Sequence, residues 1–516
     1  MKMRKCFKRL TALMLTMALV FSMNTFVSCT HAAENEKEIV LGDYRNIAPG
    51  VEDAYYCSVI IYVWEPLITM DADGQPVGKL AKDWTMSEDG KTWTFKLQEG
   101  ITFHDGEPFN ADAVLFNFDR MRYEIKTSGF YNLNVDSFYP NLDQVNKIDD
   151  YTVELTFTEP APSLLYTMTN FGSAMYSPKC FDEEYNFTGI AQGTGPFKII
   201  ENVKDEYVLL ERNENYWGEK AKAKTIRIKT IPDVDTRFSA MKSGEILGVI
   251  DLKAITPSLA TELVKDENFA ITTTDSTMID FLCLNGNKAP FDDVRMRQAV
   301  SLAIDRNAIA ENIYLGYASP TSNILNYSTP FYTEQPVEHD IEKAKELAAE
   351  VLGDERVSVR YLVQEGNTEQ KLEAELISAL LSEIGIDVSI ETYDWATMKE
   401  MMKNGDYNIA RGQQGLSNME AITIFKRFMS SEGDQNMNYS LGVKDENIDA
   451  LIREADAELN MERRQEIYTQ LQEISVDIQP VVPLFNEKTL MVYNKALEGY
   501  EAQIYGIDLP NICWAE

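Results

Sequence analysis

The stretch GITFHDGEPFNADAVLFNF, residues 100–118, sets His104 beside Asp105 among closely spaced aromatic residues. A His-Asp pair can be a general base with its orienting acid, half of a metal site, or a turn. Each neighbour has a local structural use. Asp105-Gly106 is a turn dipeptide at the end of a strand-like run, Pro108 stiffens the exit, and Asn110 stands where a helix needs a cap before ADAVLFNFDRM. The stretch therefore reads as framework, and the rest of the chain supports that reading.

Only three histidines exist, His31, His104 and His339, so H-E-x-x-H zinc chemistry is excluded; G-x-S-x-G and P-loop motifs are absent as well. No catalytic residue, cofactor or protein-held metal is expected. The formal charge of −34 repels nucleic acid and anionic lipid, so no nucleic-acid partner is expected either. At 516 residues and 44% hydrophobic, the chain exceeds what a single core usually organises.

The first residues are a targeting segment. Lys2, Arg4, Lys5, Lys8 and Arg9 precede the apolar run Leu10 to Phe21, which is too short for a permanent span. FVSC, ending at Cys29, resembles a lipobox, with Phe26 where leucine is usual; ordinary cleavage near Ala32 or Ala33 is the alternative. A lipoprotein-type signal peptide over 1–28 with Cys29 lipidated is the reading taken, followed by a polar tether. Cys57, Cys180, Cys283 and Cys513 are scattered without C-x-x-C, and the sequence leaves their disulfide state open.

From Glu38 to about Asp275 the pattern is strand-rich. WTFKLQEGITF and YTVELTF alternate with period two, and Asp89-Gly90 marks a hairpin between Trp84 and Leu97. From Pro290 the pattern turns helical. Asp292 or Asp293 caps one helix, Asp305 caps RNAIAENIY, and two amphipathic helices each end at glycine. Short strands alternate with these helices, which predicts an α/β arrangement. VVPLFNEKTLMVYN near the end is strand-like again.

Residues 62–120, with GTGPF (193–197), LERNENYWGEKAKAKTIRIKTIPDVDTRFSAMKSGEI (210–246) and NKAPFDDVRMRQAVSLAIDRNAIAENIYLGYASP (287–320), resemble the family 5 extracellular solute-binding proteins. These are the peptide, nickel and opine receptors of ABC importers. The resemblance implies an α/β, two-lobed fold of the type II periplasmic-binding-protein kind, with an extra subdomain in lobe one and the ligand cleft between lobes. The expected division is 34–275 for lobe one, 276–487 for lobe two, and 488–516 returning to lobe one. In that family the F-H-D-G turn is framework.

The resemblance also implies where ligand residues lie. One place is DYRNIAPGVEDAYYC (43–57), offering Tyr44, Arg45, Tyr55, Tyr56 and Cys57. The other is ARGQQGLSNMEAI (410–422), offering Arg411, Gln413, Gln414 and Glu420. The guanidinium groups of Arg45 and Arg411 suit a carboxylate or an anionic chelate; for Arg411 an interlobe salt bridge is the alternative. Peptide receptors place an Asp in the second segment, where this chain has Leu416-Ser417 and Met419-Glu420-Ala421. The wording around NENYWGEKA looks most like the nickel branch, yet that branch's aromatic near Gly415 and its downstream His are missing. The expected function is a monomeric, lipid-anchored receptor, at the outer face of the cytoplasmic membrane or in a periplasm. It would deliver a short peptide or peptide-like solute to an ABC permease and its ATPase. A metal-chelate receptor of the same family, a non-transporting sensory receptor and a hydrolase are the alternatives.

Overall fold

The structure, a computed structural model, describes residues 37–45, 60–71, 74–123, 135–416 and 420–516. Strand β1 (Ile39–Asp43) is the first among the described residues. The hairpin β2 (Ala81–Met86) and β3 (Thr92–Leu97) follows, with Gly90 at φ +70° in its turn. Helix α1 (Ala111–Tyr123) begins after Asn110, whose side chain accepts from the Ala113 amide at 3.1 Å. Next come β4 (Leu142–Asp149), β5 (Thr152–Phe157) and the single turn α2 (Leu164–Thr167). Strands β6 (Phe197–Val203), β7 (Tyr207–Arg212) and β8 (Thr225–Thr230) complete this half. They form two four-stranded sheets, in orders β1-β8-β7-β6 and β2-β3-β5-β4.

The second half starts with the 16-residue strand β9 (Phe269–Leu284). Helix α3 (Val294–Ala303) is capped by Asp293, α4 (Arg306–Asn312) by Asp305, and after the short β10 (Ala318–Pro320) comes α5 (Ile341–Leu352), capped by Asp340. In each case the cap carboxylate accepts from an amide of the first turn, an arrangement whose loss costs about 1 kcal/mol. The run β11 (Val357–Gln364), α6 (Thr368–Glu383), β12 (Ile386–Tyr393) is a parallel βαβ unit. Strand β13 (Ile409–Gln414), helix α7 (Met461–Ile478) and strand β14 (Val482–Asn494) follow. The sheet order here is β10-β14-β9-β13-β11-β12.

One core joins residues from Ile39 to Phe269 with Leu490 to Ile512, while two further cores lie between Ile279 and Phe485. We call these halves lobe one and lobe two. Among the described residues, β9 and β14 are the strands that contribute to cores on both sides. They pair antiparallel from Phe269↔Asn494 to Asp275↔Lys488, lose register, and resume at Ile279↔Asn486. The irregularity falls where the strands cross from one core to the next. Such a break in the ladder bends and twists the pair. Cys180, Cys283 and Cys513 are free thiols; Cys57 lies outside the described residues.

The opening stretch is structural in detail. Gly106 sits at φ +87°. The half-buried imidazole of His104 accepts from the Gly193 amide on Nδ1 (3.3 Å) and donates from Nε2 to the Gly195 carbonyl (3.0 Å). A Cβ at Gly193 would lie 2.0 Å from the Val63 carbonyl oxygen, and one at Gly195 2.2 Å from that of Tyr62, so both positions require glycine. His104 thus fixes GTGPF against Tyr62 and Val63. Burial depresses its pKa to about 4, against 6.5 ordinarily. The neutral ring therefore stabilises the fold fully above pH 6.5, and that contribution fades as pH falls toward 4, by about 3 kcal/mol at most. The stability difference between wild type and His104→Gln, measured by urea unfolding, should be largest at pH 7 and shrink by pH 4. A difference that stays constant with pH would sink this assignment.

Candidate functional site

The end of β1 carries two of the expected ligand residues. Asp43 is fully buried, and its Oδ1 accepts from the amides of Tyr44 (2.6 Å) and Arg45 (3.2 Å), turning the chain out of the strand. Burial, and next the neighbouring Asp251, push its carboxyl up to about 8. Arg45 donates from Nε to Asp251 Oδ2 at 2.9 Å and lies over the Tyr44 ring, 4.9 Å from its centre. Its side chain stays 23% exposed, so it is anchored without being enclosed. Tyr55, Tyr56 and Cys57, like Cys29, lie outside the described residues.

Strand β13 carries the second set. It pairs with β9 in the register Leu282↔Arg411 and Asp280↔Gln413. Period-two alternation puts Arg411 and Gln413 on one face of the sheet. That face is occupied by carboxylates. Arg411 donates from Nε to Glu373 Oε1 of α6 (2.7 Å) and from Nη1 to Asp280 Oδ1 (2.9 Å), with 2% of its side chain exposed. Gln413 donates to Asp280 Oδ1 (2.8 Å) and Glu487 Oε1 (3.1 Å). Arg411 is therefore enclosed by acids of lobe two rather than bridging the lobes, and it does not line the adjoining cavity. Gln414 accepts from Arg427 at 3.0 Å and donates to the Gly415 carbonyl. Glu420 is buried too, accepting from Tyr468 Oη at 2.9 Å and the Ile422 amide at 3.2 Å. These internal partners engage the Arg411 guanidinium and the Gln413 amide nitrogen, on the residues from which an anion or amide contact was expected.

The cavity lies beside these elements. It measures about 580 Å³ and is lined by lobe one throughout, including Tyr62, Trp64, Phe171, Trp217, Thr274 of β9 and Tyr505 of the C-terminal segment, and none of the described ligand residues expected from the sequence lines it. Tyr505 connects it to the expected loop: its hydroxyl donates to the Leu416 carbonyl (2.6 Å), and Phe171 meets its ring edge-on at 4.7 Å. The Thr277 hydroxyl reaches the same carbonyl at 3.1 Å. Part of the wall is rigidified by Glu65. Its carboxylate accepts from Tyr216 (2.6 Å), Thr194 (2.8 Å) and Trp217 (2.9 Å) and pairs with Lys79 (3.0 Å). A carboxylate with four donors is fully engaged, so this charge holds the tyrosine and tryptophan in place. Flat aromatic faces with few unengaged charges suit contact and stacking with an organic ligand. Among the described residues no three His, Cys, Asp or Glu side chains cluster as a metal site.

Sequence reasoning missed Tyr62, Trp64, Phe171 and Tyr505. The first two sit inside the YVWEP run that carried the family resemblance, and their aromatic density was the available signal. Tyr505 belongs to the returning C-terminal segment, which offered no local cue.

A family model for bacterial extracellular solute-binding proteins, family 5, matches residues 75–436. Among curated relatives, heme-binding protein A of Haemophilus influenzae is 27% identical over 94% of this chain and 91% of its own length. The dipeptide-binding protein of Escherichia coli K12 is 27% identical over 82% of this chain and 83% of its own. The fold matches NikA from Brucella suis, solved with Fe(III)-EDTA, at a TM-score of 0.83 and 21% identity, covering 93% of this chain and 100% of that one. The substrate-binding protein CtaP of Listeria monocytogenes superposes at 0.80 with 25% identity, over 93% and 100% of the two chains. The two-lobed α/β fold is thus that of these binding proteins.

Proposed function

Because the chain belongs to the bacterial extracellular solute-binding proteins of family 5, we propose that it is the extracytoplasmic receptor of an ABC importer, capturing a short peptide or peptide-like solute between its lobes. Members of this family bind solutes rather than transform them, and delivery to a permease and its ATPase follows from that role. The observation that carries the reading is the aromatic cavity of about 580 Å³, joined through Tyr505 to the loop after β13. Its volume falls within the about 300–1,000 Å³ typical of small-molecule sites. Two lobes between which the described chain crosses through β9 and β14 supply a hinge, and closure is driven by ligand that binds the closed form better. The division at 34–275, 276–487 and 488–516 belongs to this reading, supported by cores that meet at those two strands.

Of the described residues expected from the sequence, Tyr44 and Arg45 are the ones still offered to ligand, since Arg45 keeps an exposed edge beside an aromatic face, although neither lines the cavity. Among the described residues no helix is long and apolar enough to cross a membrane; the lipobox-like FVSC is what supports attachment through lipidated Cys29, and a monomeric receptor belongs to the same reading.

A native mass spectrum of protein from the membrane fraction tests these points together. The expected spectrum shows a monomer with a lipid-modified Cys29, releasing a heterogeneous set of short peptides on denaturation. Calorimetry with di- to pentapeptides should then give saturable binding. Flat peptide titrations alongside tight binding of a nickel chelate would overturn the peptide reading.

A further inference from the structure

Besides the hinge strands, the Tyr505–Leu416 bond and a Ser258–Glu369 hydrogen bond of 3.1 Å, the lobes meet at a buried guanidinium. Arg464 of α7 in lobe two is fully buried; it donates to Tyr468 Oη at 3.0 Å and lies 3.5 Å from Glu420 Oε1. The Phe331 and Tyr468 rings flank it, at 5.6 and 5.5 Å. The same guanidinium donates across to Ser163 Oγ, which belongs to lobe one.

Ser163 holds the N-cap position of α2, where a serine hydroxyl ordinarily accepts from an amide of the first turn. Here it makes no such bond. Its hydroxyl is given instead to Arg464, 301 residues away. Two apolar contacts accompany it: Tyr166 meets Phe331 edge-on at 6.5 Å, and a Cβ at Gly90, in the β2–β3 turn, would lie 2.6 Å from Leu459 Cδ2. The hairpin turn and the α2 segment are themselves joined, the Ala161 amide donating to the Gly90 carbonyl at 2.9 Å. The lobe-one side is therefore a single preformed surface.

We propose that Arg464 is a positioning residue for ligand capture, tying Glu420, at the end of the loop after β13, to Ser163 of the opposite lobe. One guanidinium then holds both the loop and the closed arrangement of the lobes. Opening withdraws the Ser163 acceptor from a buried charge, which is unfavourable, and closing restores it. The proposal rests on the receptor reading only for the statement that this loop meets ligand.

Ser163→Ala tests it, because the hydroxyl performs no capping and its loss leaves α2 intact. Small-angle scattering of the unliganded full-length protein should show a larger radius of gyration for Ser163→Ala than for wild type. Release of bound di- to pentapeptides, followed by tryptophan fluorescence after dilution, should be about tenfold faster. The thermal midpoint should fall only slightly, as one acceptor to the guanidinium is lost while α2 and the core stay intact, and Ser163→Thr, which keeps the hydroxyl, should restore scattering and release rate. Superimposable scattering curves, or a wild type found only in the open form, overturn the proposal. So does an unchanged release rate. A wild type that binds no peptide would instead defeat the peptide reading and leave the scattering comparison to decide this one.

Discussion

Arg411→Met lowers the unfolding free energy by about 3–5 kcal/mol, the loss expected when one partner of a buried charge cluster is removed. Arg411 is enclosed with Asp280 and Glu373, both fully buried, and its guanidinium is their counter-charge. Without it, two carboxylates remain in the interior of lobe two. Glu373 already has its pKa raised, chiefly by burial, and Tyr314 Oη donates to it at 2.7 Å. It would respond by taking up a proton, so the loss should be smaller at pH 5 than at pH 8. Urea unfolding at both values measures this, and adding Glu373→Leu to Arg411→Met should recover part of the stability. A ligand-gripping Arg411 predicts a different pattern. In that case Arg411→Lys, which keeps a charge among the acids, would lose peptide affinity by orders of magnitude. The enclosed geometry predicts affinity within about threefold of wild type, since lost burial at a distance leaves direct contacts in place.

The second large effect is on pH dependence. Glu487 of β14 sits where the hinge strands cross, hydrogen-bonded to Asp280 of β9, bonded by Gln413 of β13, and 3.4 Å from Lys253 of lobe one. Arg411 and Tyr314 also face this cluster. Burial, and next the charge of Asp280, push its carboxyl up to about 8 from 4.5, so the folded form holds a proton that the unfolded chain releases. Its contribution is fully present below pH 4.5 and falls by about 1.4 kcal/mol per pH unit toward pH 8. Asp43, pushed to about 8 from 3.8, acts with the same sign. His104 acts oppositely, but only below pH 6.5. Between pH 6.5 and 8 the raised carboxyls therefore act unopposed, and the thermal midpoint should drop. Glu487→Gln keeps a hydrogen-bonding group without a titrating proton, so it should flatten that decline and be the more stable protein at pH 8. An equally steep decline in the variant would show that Glu487 is not the group responsible.

Much of the fold was legible because its signals are local. Asp293, one of the two candidates, and Asp305 cap the helices they were expected to begin, since a cap reaches an amide only two or three residues on. Gly90 and Gly106 adopt positive φ in the expected turns, and alternation placed β3 and β5 correctly. The run around His104 was recognisable as framework for the same reason, although its partners Gly193 and Gly195 lay far along the chain.

What the sequence by itself determined was thus the α/β class, the turn and cap chemistry, and the family. The tertiary structure alone decided what each functional-looking side chain faces. Arg411 meets Glu373 and Asp280 across separations of 38 and 131 residues, and Arg464 meets Ser163 across 301. Period-two alternation fixes which face of a strand a side chain takes, but not what packs against that face. That choice comes from burying apolar surface across the whole chain, and it turned the arginine best suited to grip a ligand into the counter-charge of two buried acids.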